Sequence, residues 1–148
     1  MPAIHRSALL PLPVAAVFGV VGDVASYPDF LPWCRDATVL EARDHEVIAE
    51  LALDAPGMHQ CFTTRNVMLP YERIELHLVE GPFETFEGAW HFKRLGDDEG
   101  TRVELDLRFE LSGARALLGA AFSGLFVRAA DQMVDAFCQR AMALHAGP

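Results

Sequence analysis

The sequence predicts an α+β fold of β-α-β6-α order, with a curved antiparallel sheet of six to seven strands wrapped on one long C-terminal helix. Three observations predict it. From Thr38 to Leu111 apolar residues recur every second position, in runs separated by short turn-like breaks. Beyond Ser112-Gly113 the apolar spacing changes to that of a helix and holds for more than two dozen residues. Strands joined by connections this short must be antiparallel neighbours, because parallel ones need long crossovers. The 148 residues suffice for one domain over 1–148, and 51% hydrophobic composition supplies its core.

In chain order, residues 4–10 read as a short strand stopped by Pro11. Pro13 suits the first turn of a helix whose Val14, Val17, Phe18 and Val21 share one face, closed by Gly22-Asp23. The segment 23–34, DVASYPDFLPWC, is rich in large apolar side chains, yet Pro28 and Pro32 forbid a long helix or a central strand. It must bend over a hydrophobic surface supplied elsewhere, either as a core cap or as one wall of an apolar ligand cavity. The strands follow. Val47, Ala49, Leu51 and Leu53 form one inner face, Ile74, Leu76 and Leu78 a second, and Phe86, Gly88, Trp90 and Phe92 a third. Val103, Leu105, Leu107, Phe109 and Leu111 alternate with Arg102, Glu104, Asp106, Arg108 and Glu110, a half-buried strand with a charged outer face. In the last helix, Leu118, Phe122, Leu125, Phe126, Ala129, Met133, Phe137, Ala141 and Leu144 make the stripe, with Arg128, Asp131, Asp135, Gln139 and Arg140 opposite. Its first half, 116–127, is apolar all round except Ser123 and contains Gly119 and Gly124. Such a stretch is either wholly buried or acts as a lid with one face on a ligand.

Charge and motifs exclude several function classes. A net charge of −9, with Lys93 as the single lysine, makes DNA or nonspecific RNA binding unfavourable, since phosphate affinity comes from clustered basic side chains. Cys34, Cys61 and Cys138 show no C-x-x-C spacing, so free thiols are expected, with neither a disulfide framework nor a zinc site. The six histidines form no metal-binding pattern, and His77 and His91 fall on the polar sides of their strands. No nucleophile elbow, phosphate loop or acid/base pair stands out, so no catalytic residue is assigned. Arg65 and Asn66 are candidates to orient a ligand carbonyl, with a surface ion pair as the other use for Arg65. Arg6 followed by the apolar run 8–21 imitates a secretion signal, but Pro11 and Pro13 fit that poorly and a cytoplasmic location is expected. The run 116–127 falls short of the roughly 18–20 residues a membrane span needs.

The 23–34 segment, Phe62-Thr63-Thr64-Arg65-Asn66, Gly81-Pro82-Phe83 with Gly88-Ala89-Trp90-His91-Phe92, and Met133-Val134-Asp135-Ala136-Phe137 with Arg140-Ala141 together resemble the coenzyme Q-binding and ribosome-association-toxin (RatA) family. That family belongs to the START-like polyketide cyclase/lipid-transport superfamily, and the resemblance spans nearly the whole chain. It implies the helix-grip fold and a non-catalytic binder of a hydrophobic small molecule, ubiquinone or a related lipid, in support of respiration. It also implies transient contact with the inner membrane face. On this view Phe30, Leu31 and Trp33 form a cover. Phe62, Leu78, Phe86, Trp90 and Phe92 line the sheet side, and Leu118, Phe122 and Phe126 form a gate. No cofactor is implied beyond a bound quinone. Two alternatives come with the resemblance: a toxin that binds a ribosomal subunit and blocks subunit association, and a cyclase/aromatase-like enzyme.

Overall fold

The computed structural model describes residues 3–55, 58–81, 83–111 and 119–145; at 55, 58–59, 111, 119–123 and 125–126 it describes the backbone alone. The order is β1 (Ala3–Leu10), α1 (Val14–Gly22), a 3₁₀ turn (Val24–Asp29), β2 (Cys34–Arg43), β3 (Glu46–Ala55), β4 (Met58–Leu69), β5 (Arg73–Glu80), β6 (Phe83–Leu95), β7 (Gly100–Leu111) and α2 (Gly119–His145). One seven-stranded sheet runs β1-β7-β6-β5-β4-β3-β2, every neighbouring pair antiparallel. This is the expected β-α-β6-α fold with the larger of the two strand counts. Residues 113–118, expected in the last helix, fall outside the described residues.

Period two becomes burial in β7, where Val103, Leu105, Leu107 and Phe109 are buried and Arg102, Arg108 and Glu110 are exposed. The outer face carries the expected charge lattice, including Arg102–Glu104 at 2.8 Å and the cross-strand Arg108–Glu87 pair at 2.9 Å. Such exposed pairs contribute at most about 1 kcal/mol each, so the inner face holds the sheet together. Gly88 allows close strand approach, since a Cβ there would stand 2.6 Å from the Asp106 carbonyl oxygen.

Pro13 precedes α1 as its N-cap and offers no side-chain acceptor. The cap comes from the β6–β7 turn instead: the Val14 backbone N–H donates to Asp98 Oδ1 at 2.9 Å. Beside it, the fully buried Thr101 hydroxyl donates to the Leu12 carbonyl at 2.8 Å. Asp98 itself sits at φ 67°, which Asp and Asn tolerate better than Ala. Asp98→Ala should therefore cost about 2 kcal/mol, a lost cap plus left-handed strain, whereas Asp98→Asn should cost well under 1 kcal/mol. Urea midpoints of the two variants check this; equal losses would refute the cap.

The proline-rich segment bends as expected. Its 3₁₀ turn continues into further turns, with Leu31 N–H bonded to the Tyr27 carbonyl at 2.9 Å and Cys34 N–H to the Leu31 carbonyl at 3.0 Å. Ala130, Val134, Phe137 and Ala141, spaced four, three and four apart, are the buried stripe of α2. Phe137 packs edge-on against Tyr27 of the turn and Trp90 of β6, joining helix, cover and sheet. Arg6 of β1 reaches Asp131 at 3.4 Å and Asp135 at 3.8 Å on the flank of α2.

Candidate functional site

Between α2, the bent cover and the inner sheet face lies a cavity of about 270 Å³. Each wall follows from local periodicity. The cover contributes Val24, Tyr27 and Trp33; β3 contributes Ala49, Leu51, Leu53 and Asp54; β4 contributes Phe62, Thr64 and Asn66. Leu76, Phe86, Trp90 and Leu107 complete the sheet side, and Arg128, Ala129, Ala130, Gln132 and Met133 form the helix side. Interiors normally pack without voids of this size. Space remains here because small Ala49 on the sheet and Ala129 and Ala130 on the helix stand where larger side chains would close it.

The wall is apolar with a few placed polar groups, as ligand cavities generally are. On β4 the Thr64 hydroxyl donates to Asn66 Oδ1 at 2.8 Å, and both residues are buried. The Tyr27 phenol donates to the Val21 carbonyl, and burial pushes its pKa well above the ordinary value, so it stays neutral. Arg128 and Gln132 lie on the exposed side of α2. The titratable side chains of the described wall are Tyr27, Asp54 and Arg128.

The cavity brings together four of the expected site residues, Trp33, Phe62, Phe86 and Trp90. Four others stand off the described wall. Leu31 is 1% exposed and packs in the core beneath the cover. Phe30 stacks edge-on to Phe137 at 5.4 Å with the Arg140 guanidinium 5.3 Å from its ring centroid. Phe92 turns to Phe18 of α1 at 5.2 Å, and Leu78 packs half-buried on the core. Of the expected gate, Leu118 lies outside the described residues, as do the side chains of Phe122 and Phe126. The described helix wall lies further along, at Ala129, Ala130 and Met133.

Of the carbonyl-orienting candidates, Asn66 faces the cavity. Arg65 points outward, 3.5 Å from Glu46, which is its surface ion-pair use. Thr64 was legible from its shared parity with Phe62 and Asn66, but polarity hides such a residue from an apolar search. Ala49 was legible as inner-facing from its alternation with Val47, Leu51 and Leu53, whereas Tyr27 in the cover carries no comparable signal. Cys34, Cys61 and Cys138 are unpaired, and burial pushes the Cys34 thiol up to about 11. His77 lies 3.3 Å from Glu75 and His91 3.9 Å from Asp106, both partly exposed on the outer face. Among the described residues no helix is long and apolar enough to cross a membrane.

Residues 10–138 match the family described as polyketide cyclase / dehydrase and lipid transport. A Pseudomonas aeruginosa protein named ribosome association toxin RatA is 47% identical over 142 residues, covering 96% of each chain. A mitochondrial coenzyme Q-binding protein of Xenopus laevis is 24% identical over 140 residues, 92% of this chain and 56% of that one. Among solved structures, a Thermus thermophilus protein superposes with a TM-score of 0.84 at 22% identity, covering 97% of this chain and 99% of that one. The Streptomyces aromatase/cyclase Zhui superposes with a TM-score of 0.82 at 22% identity, over 99% and 98% of the two chains. At that identity these two likenesses speak for the fold alone.

Proposed function

Because this chain belongs to the polyketide cyclase / dehydrase and lipid transport family, and within it stands with the proteins named RatA, we propose that it binds a hydrophobic small molecule with a compact polar head, most plainly an isoprenoid quinone such as ubiquinone. The observation that carries this is the aromatic-walled cavity of about 270 Å³ under α2. That volume matches a quinone ring with the first part of its tail. A distant relative named as a coenzyme Q-binding protein supports the choice of ligand class. Burying a few hundred Å² of tail and ring at roughly 25 cal/mol per Å² gives several kcal/mol, enough after association costs for micromolar binding. Loading from a lipid bilayer requires transient contact with a membrane surface.

The test is built into the wall. The chain has two tryptophans, Trp33 and Trp90, and both line the cavity. A short-chain ubiquinone should quench their fluorescence saturably at micromolar concentration, and organic extracts of the purified protein should contain quinone or lipid by absorbance and mass. Unsaturable quenching together with empty extracts would remove this function.

A second reading rests on the relatives at up to 47% identity whose name is ribosome association toxin: binding of a ribosomal subunit that prevents subunit joining. With a net charge of −9 it requires a local protein or RNA contact rather than general attraction to phosphates. Sedimentation of ribosomes with added protein decides it, by a shift from joined ribosomes to separate subunits. A cyclase reading has less support, because the Tyr27 phenol is committed to a backbone carbonyl and the other described inner-wall groups are largely apolar.

A further inference from the structure

We propose that the Asn66 carboxamide is the head-group donor of the cavity, and that it makes the site selective for a neutral carbonyl-bearing head over a carboxylate of equal tail length. This deepens the hydrophobic-ligand reading and rests on it. Three observations carry it. First, Asn66 is 7% exposed and lines the cavity, so its side chain is withdrawn from bulk water. Its register neighbours are Val47 on β3 and Leu76 on β5, which offer it no side-chain partner.

Second, the orientation of the amide is set by its neighbour. Thr64 Oγ1 donates to Asn66 Oδ1 at 2.8 Å, which commits the acceptor end to the protein. The donor end, Nδ2, has no acceptor among the described residues and opens on the cavity. That donor keeps some accessible surface, and a ligand oxygen delivered to it makes the hydrogen bond that the protein leaves open. The N–H group is then a recognition element aimed at an acceptor.

Third, the charge around the amide disfavours an anion. The neighbouring Arg65 points to the outer face and pairs with Glu46, and Arg128, though exposed, lines the same cavity. Asp54 adds a carboxylate to the cavity lining. A carboxylate head carried in to Asn66 would lose its hydration at a described wall where the Asp54 carboxylate offsets the Arg128 guanidinium, whereas a quinone carbonyl asks only for a donor. The Thr64 hydroxyl, its proton already given, keeps lone pairs but supplies no second donor.

The experiment compares three probes of matched tail on the full chain: a short-chain ubiquinone, dodecanoate and dodecylbenzene. Quinone binding is read from tryptophan quenching and the other two by displacement. Wild-type protein should prefer the quinone to dodecanoate by about tenfold or more. Asn66→Leu, similar in size and apolar, should lose about tenfold in quinone affinity while dodecylbenzene stays within about twofold. Thr64→Val, which frees the amide to rotate without touching the head group, should weaken quinone severalfold. On wild-type protein alone, the infrared carbonyl stretch of bound quinone should fall below its position in hexane, which keeps the idea testable if a variant fails to fold. An unshifted stretch, unchanged quinone affinity in Asn66→Leu, or a wild-type preference for dodecanoate would overturn the proposal while leaving the cavity reading intact. Failure of wild-type protein to bind any of the three probes would overturn both.

Discussion

Phe137→Ala should lower the unfolding free energy by about 4 kcal/mol, a large share of the total for a domain of this size. The side chain is 4% exposed, and its ring meets Tyr27 at 5.1 Å, Trp90 at 5.2 Å and Phe30 at 5.4 Å, each nearly edge to face. Truncation removes transfer free energy and leaves a hole next to an existing cavity. It also forfeits aromatic pair terms of about 0.5–1.5 kcal/mol each. The three partners belong to the cover and the sheet, so α2 would lose its aromatic contacts with both at once. A melting-temperature drop of roughly 10 °C is expected. Phe137→Leu should recover more than half of it, because volume matters more here than aromaticity. A Phe137→Ala protein within 1 kcal/mol of wild type would show that α2 is held elsewhere, along Val134 and Ala141.

Ala129→Phe should abolish measurable ligand binding, a loss of about 100-fold or more, while leaving the fold stable. Ala129 stands on the helix wall of a cavity of about 270 Å³, so a phenyl ring has room to enter without the strain that overpacking brings in a filled core. New apolar contacts with the wall should hold the melting temperature at or above that of wild type. The two effects thus have opposite signs, which a merely structural role cannot produce. Quenching of Trp33 and Trp90 by a short-chain ubiquinone, measured beside thermal unfolding, reads both. Retained binding in a folded Ala129→Phe protein would place the ligand elsewhere, and lost folding would mean that the space is smaller than the geometry states.

The residues themselves announce the fold. Period two over β3 to β7 and the α2 stripe leave one economical solution, a sheet with its inner face covered by that helix, and the short turns make it antiparallel. They also announce the bent cover, since Pro28 and Pro32 bar a long helix or a central strand across 23–34. Of the wall residues, Phe86 and Trp90 were legible as large apolar side chains on an inner face, Trp33 as part of the bent cover, and Phe62 through the family resemblance.

Alternation determines which face a side chain takes, but it carries no measure of position along the sheet. Trp90 and Phe92 share one strand and one face; Trp90 opens on the cavity, while Phe92 packs on Phe18 because α1 crosses that end of the sheet. Leu31 and Trp33 part in the same way, one into core and the other onto the wall. What makes a cavity rather than a core is the meeting of Ala49 with Ala129 and Ala130, three small residues far apart in sequence. Likewise the direction of the Asn66 amide depends on the Thr64 hydroxyl two residues away and on what stands across the sheet. The chain by itself determined the architecture, the inner face and the apolar character of what that face could hold. Only the tertiary structure decided where the space lies and which polar group looks into it, because volume and hydrogen-bond direction arise from elements brought together by folding.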